Sequence, residues 1–224
     1  MAAKIIAVGN GKGGTCKTTV SVALSTGLVR EGNRVLLVDL DIQRSAMKWL
    51  QKAQRAGMKY IPTVVGIEQS KFKEDVLTMI ESFDYIILDS PGTLSDELIP
   101  AQLFSIADLF LIPIQPSPMD VEDSDQILKM AEATMMNRPQ LKARILICRD
   151  KEQTILSRTI GNSLEQYDIP LFPVRILDGE LHKQVRGTGQ TLFDELKGLS
   201  KSEKNLVKNM NDFLVSVFEE LEGL

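Results

Sequence analysis

Short apolar runs with almost no alternation recur along the chain. They are Ile5-Ile6-Ala7-Val8, Val35-Leu36-Leu37-Val38, Tyr85-Ile86-Ile87-Leu88, Leu109 to Ile114 and Ile145-Leu146-Ile147-Cys148. Runs of this kind predict strands buried on both faces, as in a parallel sheet. Weaker strand patterns lie at Ile61 to Val65 and Leu171 to Ile176. Between the runs the period changes to that of a helix. Val20, Ala23, Leu24 and Leu28 share one face before a stop at Gly32, and residues 44–57 and 69–82 also read as helical. Leu206, Val207, Met210, Phe213, Leu214, Val217, Phe218 and Leu221 form one stripe over residues 201–222. Strands alternating with helices predict a doubly wound α/β fold, a mostly parallel sheet with helices on both faces. Residues 1–224 read as one domain ending in a packing helix.

Composition narrows this picture in a few places. A chain of 224 residues with 43% hydrophobic residues can bury a sizeable core. Its net charge of −4 argues against coating nucleic acid with the whole surface. Residues 138–186 nonetheless hold nine Lys/Arg against six Asp/Glu, with Arg175, Lys183 and Arg186 the best candidates for a DNA-facing patch. A solvated basic face is the alternative. Cys16 and Cys148 have no metal-ligand spacing, and a reducing cytoplasm suits them. His182, the single histidine, has no evident partner and reads as a surface residue. No signal peptide is evident, and no apolar stretch approaches the roughly 18 residues that span a bilayer. The final stripe could serve core packing or a membrane surface. Lys201, Lys204 and Lys208 are outweighed there by Glu203, Asp212, Glu219, Glu220 and Glu222, which favours packing.

The strongest local signal is Gly9-Asn10-Gly11-Lys12-Gly13-Gly14-Thr15-Cys16-Lys17-Thr18-Thr19, set between the first apolar run and the first helix. Strand, glycine-rich loop, Lys-Thr and helix is the context of a phosphate-binding loop. Gly11, Gly13, Gly14, Thr15, Cys16, Thr18 and Thr19 can turn backbone N–H groups toward an anion at a helix N-terminus. Lys17 can reach β- and γ-phosphates, and the Thr18 hydroxyl can ligate Mg²⁺. Two further strands end in carboxylates. Asp39 and Asp41 close the second apolar run, and Asp89, followed by Gly92, closes the third. Ligands in open α/β sheets bind at the carboxyl ends of strands, so these groups should face the phosphates. Capping of the next helix is the alternative for the aspartate pair.

Lys12 adds a second lysine inside the loop, giving Lys-Gly-Gly-x-x-Lys-Thr. This resembles the deviant Walker A motif of the ParA/MinD family of ATPases, and most closely the small plasmid-partition ParA (ParF-like) proteins. The resemblance implies a P-loop ATP hydrolase using ATP and Mg²⁺. Lys12 would reach the partner's nucleotide in an ATP-bound homodimer. Asp41 would orient the attacking water in a segment similar to the family's Asp-x-Asp-Pro-Gln, here with Ile42 for Pro. Asp39, Asp89 and Thr18 would support the metal, Gly92 would meet the γ-phosphate, and Arg149 stands where relatives read adenine. Pro116-Ser117-Pro118-Met119-Asp120 is similar to a stretch found near nucleotide and dimer contacts in partition proteins. The implied function is segregation of plasmid or chromosomal DNA. The ATP dimer would bind DNA without sequence preference, at the bacterial nucleoid, with a ParB-like partner stimulating hydrolysis and no role for the membrane. The implied alternatives are the same ATPase positioning a protein cargo, and a nucleotide-binding switch with little hydrolysis. One residue departs from the motif. The position before Lys17, usually Gly, is Cys16, and a Cβ in left-handed backbone there costs about 1–2 kcal/mol.

Overall fold

The computed structural model describes residues 2–92, 98–151 and 154–222. In chain order the elements are β1 (Lys4–Val8), α1 (Lys17–Arg30), β2 (Val35–Asp39), α2 (Ser45–Arg55), β3 (Thr63–Gly66), α3 (Phe72–Met79), β4 (Tyr85–Asp89) and α4 (Leu98–Ile106). They continue as β5 (Leu109–Ile114), α5 (Pro118–Asp123), α6 (Asp125–Asn137), β6 (Lys142–Asp150), α7 (Ile155–Leu164), β7 (Ile176–Leu177), α8 (Glu180–Thr188) and α9 (Lys201–Glu222). The seven strands form one sheet in the order β3-β2-β4-β1-β5-β6-β7, and every pairing is parallel.

The strand period divides each apolar run between two cores. Ile5 and Ala7 of β1, Leu36 and Val38 of β2, and Phe110, Ile112 and Ile114 of β5 face one cluster, which α3, α4, α6 and α7 cover. Ile6 and Val8, Val35 and Leu37, and Leu109 and Leu111 face the other, beneath α1, α2, α8 and α9. This is why the runs show no alternation: both faces are dry, so both parities must be apolar.

Two segments depart from the sequence reading. The helix expected over 69–82 is only Phe72–Met79; at its end the Ser82 N–H turns to the Met79 carbonyl (2.9 Å), three residues back rather than four, and the Ile80 carbonyl accepts the Ala3 N–H (2.8 Å). The strand expected from Leu171 to Ile176 is reduced to Ile176–Leu177 plus an isolated bridge between Leu171 and Ile145. Pro173 lies between them and has no N–H to give to a ladder.

The C-terminal stripe is core. Leu206, Met210, Phe213, Leu214, Val217 and Leu221 are buried, and the Phe213 ring lies 5.4 Å from that of Phe172. Glu220 accepts two hydrogen bonds from Arg144, both 2.9 Å, pinning the far end of α9 to β6. No helix among the described residues is long and apolar enough to cross a membrane.

Leu214 of α9 packs close over Gly27 of α1. A Cβ there would stand 2.9 Å from the Phe193 ring and 3.0 Å from Leu214. Gly27→Ala should therefore destabilise the protein by about 1–3 kcal/mol through overpacking, in spite of the better helix propensity of Ala. Gly161→Ala in α7, where nothing lies within 4 Å, should instead stabilise by about 0.5–1 kcal/mol. Urea unfolding of the two variants measures both signs. A stabilised Gly27→Ala would mean that α9 does not dock on α1 in solution.

Candidate functional site

Parallel pairing brings three strand tips together. Val8 of β1 and Asp39 of β2 both stand in register with Asp89 of β4. Hence the glycine-rich loop, the Asp39–Asp41 pair and the Asp89–Gly92 segment meet at the centre of the sheet's carboxyl edge.

The loop is anchored at its root by Asn10, which is fully buried. Its amide donates to the Pro113 carbonyl (2.7 Å) and the Ser124 hydroxyl (2.9 Å), and its oxygen accepts the Lys12 N–H (3.1 Å). Beyond this anchor the loop opens. A Cβ at Gly11 or Gly14 would meet nothing within 4 Å, so the loop borders open space. Thr15 is buried, and its hydroxyl donates to the Lys12 carbonyl (3.3 Å). Gly14 has φ 80° and Cys16 φ 71°. Cys16 occupies the N-cap of α1 in left-handed backbone, so the strain anticipated from the motif's one departure is present. A hydrogen bond from Cys148 and the charge of Arg149 draw the Cys16 thiol down to about 7, against burial.

Lys17 is 5% exposed. Its ammonium donates to the Lys12 carbonyl (2.7 Å) and reaches the Gly92 carbonyl at 3.4 Å. Burial lowers its pKa, and the charges of Asp89 and Asp41 oppose that. Thr18 and Ser21 each donate a hydroxyl to Asp89, both at 2.9 Å. Asp89 is fully buried, and burial together with the neighbouring Asp39 carboxylate pushes it up to about 7. Asp39, also fully buried, accepts the N–H groups of Asp41 (3.1 Å) and Met47 (3.0 Å). Asp41 accepts the Gly92 N–H (2.9 Å). The Lys12 ammonium points away from this group, toward Asp120 (3.1 Å) and Asp123 (2.7 Å).

A cavity of about 210 Å³ lies over the loop, lined among others by Gly14, Thr15, Lys17, Thr18, Asp41 and Gly92. A second of about 100 Å³ adjoins it and is lined by Ile176, Leu177, Asp178, Gly179, His182 and Lys183. Cys16, Thr19, Arg149 and Arg186 belong to both. One chamber thus offers backbone N–H groups and an ammonium, and the other a more enclosed, partly apolar wall. Asp89 and Thr18 put hard oxygen donors beside the first chamber, and a divalent cation there would relieve the unfavourable charge of two buried carboxylates.

Comparison with known proteins agrees with this geometry. The family described as an AAA domain matches residues 3–78. "Maintenance of carboxysome distribution protein A" of Halothiobacillus neapolitanus is 28% identical over 188 residues, 84% of this chain and 86% of that protein. The septum site-determining protein MinD of Buchnera aphidicola subsp. Acyrthosiphon pisum is 27% identical over 207 residues, 76% of each chain. In sequence the chain is similar to P-loop ATPases of the ParA/MinD family. In fold it also matches the crystal structure of a candidate plasmid partition protein of Borrelia burgdorferi B31 bound to AMPPNP, with a TM-score of 0.65, 18% identity, and coverage of 95% of this chain and 98% of that one.

For a ParA/MinD-type protein the assembled residues are those the sequence singled out, with three exceptions. Asn10, Ser21 and Ser124 were missed, and their only signal was a small polar residue beside a buried strand or in an apolar helix face. His182 is not a surface residue. It is half-buried, its ring contacts the Leu177 carbonyl (3.1 Å), and burial lowers its pKa. Of the three basic candidates, Lys183 and Arg186 line the second chamber together, and Arg175 does not join them. Arg175 turns inward to the Ser157 carbonyl (2.7 Å) and Asp150 (3.4 Å). Arg186 lines the loop cavity and lies over the Trp49 ring, and the exposed Lys183 pairs with Glu180 (2.9 Å).

The Cys16 backbone sets a test. Cys16→Gly should relieve about 1–2 kcal/mol of left-handed strain, offset in part by lost side-chain burial and by added freedom in the unfolded chain. Its net stability change should lie within about 1 kcal/mol of zero. Cys16→Val, β-branched and of similar size, should cost about 2 kcal/mol or more. Equal tolerance of Gly and Val in chemical denaturation would show that residue 16 leaves the left-handed region.

Proposed function

We propose that this chain is an Mg²⁺-dependent ATP hydrolase that works as a nucleotide-gated dimeric switch, in one domain spanning residues 1–224. The observation that carries the reading is the contact of Thr18 and Ser21 with Asp89 directly beneath a loop that also presents Lys17. The phosphates of ATP occupy the larger chamber, and the base lies against the second, with Arg149 and Thr19 between them. Lys17 gives up two carbonyl partners for phosphate oxygens. Thr18, Asp39 and Asp89 would hold Mg²⁺, which would supply charge neutralisation for the phosphates. The N–H of Gly92 leaves Asp41 for the γ-phosphate, and Asp41 is thereby freed to orient the attacking water. Lys12 completes the site of a second subunit.

Two cargo readings share this switch. In the first, the ATP dimer binds DNA without sequence preference and a ParB-like centromere-binding partner triggers hydrolysis, so that plasmid or chromosomal DNA is segregated. The family motifs and the partition-protein fold support it. In the second, the same cycle distributes a protein assembly. The carboxysome-distribution relative supports that reading, and so does the inward engagement of Arg175.

Lys17→Ala should abolish ATP binding in isothermal titration, since it removes the charge aimed at the phosphates, and unchanged affinity would sink the loop assignment. Asp41→Ala should keep ATP binding but lose turnover, and Lys12→Ala should bind nucleotide yet stay monomeric in sedimentation. Fluorescence anisotropy on two unrelated duplexes separates the cargo readings. DNA segregation requires binding with ATP but not ADP, equal on both sequences. It should fall with salt at a log–log slope of about 0.9 per phosphate contact, which pairing two subunits roughly doubles. Absence of DNA binding in both nucleotide states would leave the protein-cargo reading alone.

A further inference from the structure

Lys12 does not face the phosphate chamber in this conformation. Its ammonium is held by two carboxylates of α5, Asp120 at 3.1 Å and Asp123 at 2.7 Å. Those hydrogen bonds raise its pKa, so the lysine is fully charged and doubly engaged. The Asp120 oxygen that meets Lys12 is buried and has no other hydrogen-bond partner among the described residues.

The backbone around the pair is fixed independently. Asn10 bonds the Ser124 hydroxyl, which donates to the Asp120 carbonyl (2.6 Å), while the Lys12 N–H rests on Asn10. The root of the loop and the end of α5 are thus tied by a buried neutral network. The ion pair beside them is partly exposed, with side-chain accessibilities of 28% for Lys12 and 47% for Asp123. The ion pair can therefore open by side-chain rotation alone, without disturbing the loop.

We propose that Asp120 and Asp123 are positioning residues that retain the Lys12 ammonium within its own subunit. They compete with its contact across the dimer, and so set the protein concentration at which the nucleotide-bound dimer forms. This rests on the dimeric-switch reading above. A lysine can satisfy the α5 carboxylates or a phosphate of another subunit, not both. Every increment of stability in the first arrangement weakens the second by the same factor.

The test is sedimentation of full-length protein with AMPPNP and Mg²⁺. Asp123→Asn removes one carboxylate of the pair from an exposed position, where the fold tolerates it. Its dimer dissociation constant should fall by about 2- to 5-fold, the range a partly exposed ion pair supports. Asp123→Glu, which keeps the charge, should behave as wild type. So should Glu122→Gln, which removes a neighbouring charge of the same sign on α5. Titration of the Lys12 side chain by NMR reads the contact itself, and Asp123→Asn should lower its pKa toward that of an ordinary lysine. An unchanged dimer constant in Asp123→Asn, an equal shift in Glu122→Gln, or an unmoved Lys12 pKa would each overturn the proposal. A wild-type protein that stays monomeric with AMPPNP overturns the switch reading instead, and that outcome is visible in the control alone.

Discussion

The carboxylate of Asp89 is the constraint around which the rest is arranged. It stands fully buried at the tip of strand β4, with β1 and β2 in register on either side. A buried carboxylate is unfavourable unless hydrogen-bonded or paired with charge. Here two hydroxyls from successive turns of α1, Thr18 and Ser21, meet it at 2.9 Å, and Lys17 lends its charge from nearby. Those partners fix α1 in height and rotation over the sheet. That position places the N-terminus of α1, and hence the loop, above the strand tips. The two hydroxyls do not fully offset burial and the adjacent Asp39, which is why the group rises to about 7. The site is arranged to favour a cation and, beside it, an anion.

A second constraint is conformational. The turn from loop to helix is made in left-handed backbone at residue 16, and this chain makes it with a side chain that costs strain. The same side chain adds apolar contact with the core under α1 and α9, meets Cys148, and forms a wall shared by the two chambers. Strain at that point is therefore bound to packing on one side and to ligand shape on the other. A glycine would remove both at once.

The central sheet was legible because burial on both faces imposes an unbroken apolar run, which needs no knowledge of the partners. The loop was legible because few local sequences combine glycines, Lys-Thr and an adjoining strand. α9 was legible from a single stripe and from the sign of its charges. What failed has physical reasons. β7 is short because Pro173 cannot donate, and a propensity reading of Phe172 to Ile176 does not weigh which N–H groups the ladder needs. His182 was misplaced because its partner is a backbone carbonyl, which no side-chain pattern reveals. Arg175 and Arg186 were chosen for charge alone. Whether a guanidinium faces solvent, a carbonyl or a cavity is decided by tertiary packing. The Lys12 pairing with α5 joins segments far apart in sequence and follows only from β5 lying beside β1.

The structure divides the site into parts that are fixed and parts that can exchange. Strand tips, Asn10 and the Asp89 hydroxyl pair hold the floor. Lys17, Asp41, Gly92 and Lys12 instead satisfy one another or α5: ammonium to loop carbonyls, carboxylate to Gly92 N–H, ammonium to Asp120 and Asp123. Each of these groups must leave a protein partner before it can serve a phosphate. Net affinity for an anion is then a difference between two well-bonded networks, smaller than a tally of the new contacts alone. Such near-balance lets a modest second influence, such as another subunit or a partner protein, decide which network prevails. The exchange also extends to the helices. Met47 of α2 bonds Asp39, and Trp49 on the same helix donates to the Gln190 carbonyl (2.9 Å) just beyond α8, whose Arg186 lines the loop chamber. A rearrangement at Asp39 and Asp41 therefore bears, through one rigid helix, on the wall of the chamber itself.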